Sequence, residues 1–206
     1  MYFVEWDGPL MEPRYVKPRV GVDVDGVLAN LLGAMAPLLT EFAGRPITAV
    51  DMQAWDLDHL LPPGTANAFW TRVGAPGFLK DLEPYPGAVD GLRDLQKVAD
   101  VYIVTSYLHS GPQWVHERDA WLLAHFDFPR KKVVHTHAKY TFRAFSLVDD
   151  KPENVELWDA EHAREHVFPV LWEQPYNARH NLRRGARTNN WSDMIGALLE
   201  NWEYGT

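Results

Sequence analysis

The feature that most restricts this chain is the segment Val20-Gly21-Val22-Asp23-Val24-Asp25-Gly26-Val27-Leu28. A short β-branched run, as buried strands tend to have, stops at two carboxylates spaced two apart and a glycine. Further runs end on polar residues in the same way. The run 101–104 stops at Thr105, Val133-Val134 ends near His135, 145–148 stops at Asp149, and 167–172 is a fifth. Helical patterns lie between them. Val89, Leu92, Leu95 and Val98 recur three apart after a Pro86-Gly87 turn. Trp114, Val115, Ala120, Leu122 and Leu123 form a second amphipathic stretch behind Pro112, and 191–202 reads as a last helix. Alternating strands and helices predict an α/β fold, a doubly wound parallel sheet with crossover helices. In such sheets ligands bind beyond the carboxyl ends of the strands. Asp23, Thr105, Asp149 and Asp150 all fall at such ends.

One interval breaks the alternation. Between Asp23 and the helix at Ala88 no strand pattern occurs. The stretch 31–42 looks helical and stops at Gly44, 65–73 looks helical again, and Trp55, Phe69 and Trp70 add aromatic bulk. This predicts a small helical cap inserted after the first strand. The expected organisation is an N-terminal arm over 1–18, an α/β core over 19–32 and 76–206, and the cap over 33–75. A length of 206 residues suits one domain carrying such an insertion.

Composition narrows the function. The chain has no cysteine, which removes disulfides and thiolate metal sites and fits a reducing compartment, so a cytoplasmic location is expected. No apolar run approaches the roughly 18 residues of a membrane helix, and the first nineteen residues lack the apolar core of a signal peptide. The net charge of −8 argues against stable nucleic-acid binding, which needs a basic face. It does not exclude a small phosphorylated substrate, since one lysine and a divalent metal reverse the field locally.

The chemistry of Asp23-Val24-Asp25-Gly26 follows from its residue types. A carboxylate at a strand tip can attack phosphorus and become phosphorylated. A second carboxyl nearby can protonate the leaving oxygen and then activate water. Gly26 permits a sharp turn whose N–H groups can face a phosphate. Carboxylate and phosphate repel, so such a site calls for a cation, and magnesium with oxygen ligands suits it. A calcium loop is the ordinary alternative. Counted from Asp23, its sixth and twelfth positions would be Leu28 and Ala34 rather than Gly and Glu, so that reading fails.

These residues resemble the first signature of the haloacid-dehalogenase superfamily of phosphatases. The other signatures follow in order: Thr105-Ser106 at a strand end, Lys139 before the fourth strand, and Asp149-Asp150 closing it. Within the superfamily the chain is most similar to the 5'(3')-deoxyribonucleotidases. The likeness is carried by the segment 77–88 (GFLKDLEPYPGA), by His137-Ala138-Lys139, by Leu147-Val148-Asp149-Asp150-Lys151-Pro152 and by Trp191-Ser192-Asp193. It covers about 19–199.

The resemblance implies roles. Asp23 is then the nucleophile and a magnesium ligand. Asp25 is the general acid/base and ligates through its carbonyl. Thr105, Ser106 and Lys139 hold the phosphoryl group, Lys139 also neutralising Asp23. Asp150 completes the metal shell, with Asp149 acting through water; the alternative for Asp149 is a cap of a helix opening at Pro152. Trp55 and Trp70 fall where the family sandwiches the base, and Leu31 stands where better-known members have Phe. A nucleotide is the implied partner, and a homodimer stays open. Histidines 109, 116, 125, 135 and 137 read as surface or loop residues, and Gln174-Pro175-Tyr176-Asn177 as a turn. Rival functions are a phosphatase for another small phosphorylated metabolite or a nucleic-acid 3'-phosphate, and a non-catalytic nucleotide-binding regulator.

Overall fold

The apolar runs become strands. In a computed structural model, which describes residues 16–48, 51–54 and 57–205, six parallel strands form one sheet. They are β1 Arg19–Val22, β2 Asp100–Thr105, β3 Val133–His135, β4 Ser146–Asp149, β5 Val170–Trp172 and β6 Ala186–Thr188. Their order is β3-β2-β1-β4-β5-β6. Val20, Val22, Ile103, Val104, Leu147, Val148, Val170 and Leu171 are fully buried along the central strands. Each such side chain contributes about 1.5–3 kcal/mol on leaving water.

The order places the site. The chain adds β2 and β3 on one side of β1, then crosses to lay β4, β5 and β6 on the other. Val22 therefore pairs with Ile103 on one flank and Val148 on the other. This reversal opens a crevice at the carboxyl ends of β1 and β4, the place where such sheets bind ligands.

Two strands differ from the sequence pattern. The run expected over 167–172 forms a strand only from Val170. Pro169 has no N–H to give a ladder, and Phe168 N donates instead to Phe145 O at 2.8 Å. The edge strand β6, Ala-Arg-Thr, has no apolar run to announce it.

The helices are α1 Leu31–Ala43, α2 Ala66–Val73, α3 Ala88–Val98, α4 Trp114–Phe126, α5 Pro152–Glu161 and α6 Trp191–Gly205. Helices α1 and α2 occupy the interval where an insertion is expected. The Asn30 side chain accepts from Gly33 N at the start of α1, and Gly44 ends it in the left-handed region at φ 66°. Leu31, Leu32, Met35, Leu38 and Leu39 form its buried stripe. On α4 the buried face is Trp114, Arg118, Trp121 and Leu122. Leu123, expected inside, is 59% exposed. Among the described residues no helix is long and apolar enough to cross a membrane. Residues 1–15 of the expected arm, and Trp55, lie outside the described residues.

Candidate active site

The loop after β1 sets the geometry. Asp23 N donates to Val148 O at 2.9 Å, which keeps Asp23 between β1 and β4. Its Oδ1 accepts the Val24 N–H at 2.7 Å. The N–H groups of Leu28 and Ala29 both donate to Val24 O at 2.8 Å, closing a tight return. Gly26 sits in that return at φ 78°. Only glycine holds this conformation without strain, and a Cβ there would collide with the side chains of Asp150 and Tyr176.

The charges meet at Lys139. This lysine is 2% exposed, and its Nζ lies 2.6 Å from Asp23 Oδ2 and 2.7 Å from Asp149 Oδ2. Burial alone would pull the ammonium down, but Asp149 and Asp23 outweigh it and hold its pKa above the ordinary value. The carboxylates fare differently. Burial pushes Asp23 up to about 7, with Asp149 and Asp25 adding repulsion against the pull of Lys139. Burial, then Asp149 and Asp23, raise Asp150 well above the ordinary carboxyl range. Lysine and aspartate shifts point opposite ways for the charged state. The lysine keeps its charge, and one ammonium is too little for three buried carboxylates.

That imbalance is the test of a metal. Asp23, Asp149 and Asp150 each offer a carboxylate oxygen, and these oxygens lie within 4.8 Å of one another. An all-oxygen, anionic, under-compensated set fits a hard divalent cation such as magnesium. Asp149 is the most occupied of the three. Besides Lys139 it accepts from Lys151 N at 2.9 Å and from Asn154 Nδ2 at 3.0 Å. It thus combines an ion pair with contacts at the start of α5, the place where the sequence offers it as a cap.

Behind Asp150 lies the segment read from sequence as a turn. Tyr176 donates its hydroxyl to Asp150 Oδ2. Asn177 Nδ2 donates to Asp150 O at 2.7 Å and to Trp172 O at 2.8 Å, and Gln174 Nε2 donates to Gly26 O at 2.5 Å. Burial, then the Asp150 charge, hold the Tyr176 hydroxyl far above its ordinary pKa, so it stays a donor. The motif fastens both the Asp150 strand end and the Gly26 loop.

Asp25 has a partner that sequence reading missed. Arg118 Nη2 lies 2.6 Å from Asp25 Oδ1. Of the expected phosphate ligands, Ser106 faces the cavity. Thr105 is fully buried, with its hydroxyl 3.4 Å from the Ser106 carbonyl oxygen.

A cavity of about 350 Å³ opens above these groups. Asp23, Asp25, Ser106, Lys139 and Asp150 form its polar floor, and Leu31, Leu32, Met35, Leu57 and Trp70 its apolar wall. Trp70 Nε1 donates to Asp58 Oδ1 at 3.0 Å, which fixes the indole. Phe69, beside it in sequence, turns away from the cavity and packs edge-on against Phe42. His137 reaches the rim, stacked on His109 with ring centres 4.8 Å apart.

Known proteins share the family and the fold. The chain is 29% identical over 191 residues to the human cytosolic-type 5'(3')-deoxyribonucleotidase, covering 88% of this chain and 93% of that one. It is 28% identical over 191 residues to the mouse mitochondrial 5'(3')-deoxyribonucleotidase, covering 88% and 85%. In fold it is similar to a haloacid-dehalogenase-like family hydrolase from Streptococcus pneumoniae (TM-score 0.57, 11% identity, 87% and 97% covered). It is likewise similar to a haloacid-dehalogenase-type protein of Bacillus subtilis solved bound to magnesium (TM-score 0.56, 15% identity, 89% and 99% covered). Residues 17–200 match the family described as 5' nucleotidase, deoxy (pyrimidine), cytosolic type C. With the signature residues gathered at the β1–β4 crevice, the chain belongs to that 5'-nucleotidase family, on a haloacid-dehalogenase-type α/β fold.

Proposed function

We propose that this protein hydrolyses nucleoside monophosphates, 2'-deoxy sugars preferred, through a phosphorylated Asp23. The observation that carries the reading is the cavity itself. Its lining joins Asp23, Lys139 and Asp150 with Leu31, Met35, Leu57 and Trp70. A phosphate suits the floor and a base suits the wall. A sugar phosphate would press hydroxyl groups against apolar surface and lose their water without return.

Asp23, Asp150 and the Asp25 carbonyl would hold magnesium, which supplies positive charge against the carboxylates and the phosphate. Lys139 keeps its proton and neutralises Asp23 and the transferring group. Ser106 hydrogen-bonds a phosphoryl oxygen. An Asp23 oxygen attacks phosphorus as the ester P–O bond breaks. The leaving oxygen keeps the electron pair and takes the proton of the Asp25 carboxyl. Asp25, now a carboxylate, removes a proton from water as the water oxygen attacks phosphorus. The Asp23–phosphorus bond breaks, phosphate departs, and both aspartates return to their starting forms.

The cap over 33–75 supplies Met35, Leu57 and Trp70 to the wall in this reading, with Trp70 against the base. Its apolar residues offer a 2'-hydroxyl no partner, which costs about 1–3 kcal/mol, with a ceiling of about 100-fold for rejecting an added hydroxyl.

The test is phosphate release with magnesium, using deoxy- and ribonucleoside monophosphates beside sugar phosphates. Nucleotides are expected to exceed sugar phosphates, and dUMP to exceed UMP in kcat/KM. Turnover that survives a chelator would overturn the metal assignment. Equal values for dUMP and UMP would remove the sugar preference while leaving the phosphatase.

A further inference from the structure

Arginine is an expensive choice at position 118. The residue lies on the buried face of α4 beside Trp114, Trp121 and Leu122, and is 0% exposed. Its guanidinium carbon sits 5.7 Å from the Trp114 ring centre and 5.6 Å from that of Trp121. The Nε and Nη1 groups are buried and have no hydrogen-bond partner among the described residues. One ion pair, Nη2 to Asp25 Oδ1 at 2.6 Å, and two flanking indoles are all that offset the lost water. A buried ion pair stabilises a fold no better than a well-packed apolar pair of the same volume, so the arginine is there because Asp25 is. Stability therefore does not explain the arginine.

Its geometry does. Asp25 is 13% exposed on its side chain and faces the cavity, while Arg118 grips it from behind. The guanidinium occupies Oδ1, so Oδ2 is the oxygen left for the reacting groups. The indoles on either side keep the guanidinium from swinging. Helix α4 is itself pinned to the segment that follows α2. Trp121 Nε1 donates to Leu82 O at 2.7 Å, and Glu117 Oε1 accepts from Gly77 N at 2.7 Å.

We propose that Arg118 is a positioning residue for Asp25, holding its carboxyl so that Oδ2 presents the proton to the leaving oxygen. This rests on the reading of Asp25 as acid/base. Without the grip the carboxyl turns freely, and misplacement of about 1 Å at a reacting group can cost about 100-fold. In kcat/KM, which reports the phosphorylation of Asp23 and not the later attack of water, the loss should fall only where the leaving oxygen needs a proton. Ester bonds to a nucleoside need one; an aryl ester whose alcohol is already a stable anion does not.

The experiment compares Arg118→Met, Arg118→Lys and Asp25→Asn with the unaltered chain, all with magnesium. Readouts are kcat/KM on dUMP, kcat/KM on p-nitrophenyl phosphate, and Tm. For Arg118→Met the dUMP value is expected to fall about 100-fold with KM little changed. The aryl ester should fall far less, while Tm should fall, since the Asp25 carboxylate loses its buried partner. Arg118→Lys should recover part of the loss, since lysine keeps the charge but not the planar fork. Equal loss on both substrates would make Arg118 a structural residue and overturn the proposal. So would unaltered dUMP turnover in Arg118→Met while Asp25→Asn is inactive, a result that spares the acid/base reading. An active Asp25→Asn protein would instead overturn that reading. If Arg118→Met does not fold, Arg118→Lys carries the test: the same skew towards dUMP supports the role, and equal loss on both substrates ends it.

Discussion

Lys139 Nζ stands 2.6 Å from Asp23 Oδ2, both side chains almost wholly buried. Removing one partner of a buried pair leaves an uncompensated charge, which costs about 3–5 kcal/mol. Lys139→Ala is therefore expected to lower kcat by about 100- to 1,000-fold, as losing a preorganised donor does. It should also lower stability in denaturant unfolding. A variant with full activity would show that Lys139 does not touch the transferring group.

Asp23→Asn should behave in the opposite way on stability. It removes a carboxylate whose charge burial and its neighbours already resist. Turnover should vanish, while the metal-free protein should unfold at the same or a higher temperature. Phosphate release near the unaltered rate would end the covalent mechanism.

The raised carboxyls make metal and pH act together. A carboxyl with a raised folded pKa binds its proton more tightly in the folded state. Between the ordinary value of 3.8 and about 7 for Asp23, rising pH costs stability, and the penalty is complete above about 7. A cation removes that penalty, whereas protons compete with it below. Magnesium is expected to raise Tm more at pH 8 than at pH 5. An equal rise at both would mean that the cation does not sit among these groups.

Tyr176→Phe deletes the hydroxyl that donates to Asp150. Loss of a group behind a metal ligand typically costs about 10- to 100-fold in metal affinity. Calorimetric titration with magnesium should show that weakening without a change of fold by circular dichroism. Unchanged affinity would leave the Gln174-to-Asn177 segment with a purely structural role.

Trp70→Ala tests the apolar wall. A stacking surface is worth about 1–3 kcal/mol per base. The Michaelis constant for nucleotides should rise accordingly, and that for a small aryl phosphate should not. Equal effects on both would move Trp70 out of the base site.

The sequence alone determined the sheet and its reacting end. Five of the six strands appear as β-branched runs because buried parallel strands can contain little else. Asp23, Asp149 and Asp150 were legible because each sits at the end of a strand run, where position along the chain also settles position in space, and Lys139 through the resemblance, which marks a lysine ahead of the fourth strand. Three matters waited for the tertiary structure. The edge strand β6 is short and polar, so no periodicity marks it. The segment Gln174 to Asn177 looks like a turn, and only the packing of its loop under Asp150 gives Tyr176 an acceptor. Helix α4 is the clearest case. Periodicity can say that positions 114, 118, 121 and 122 share a face, but a charged residue among them reads as solvent-facing. Arg118 is buried because Asp25, on the loop of a distant strand, arrives opposite it. An ion pair between remote elements is decided by how helix and sheet pack, and no local pattern contains that information.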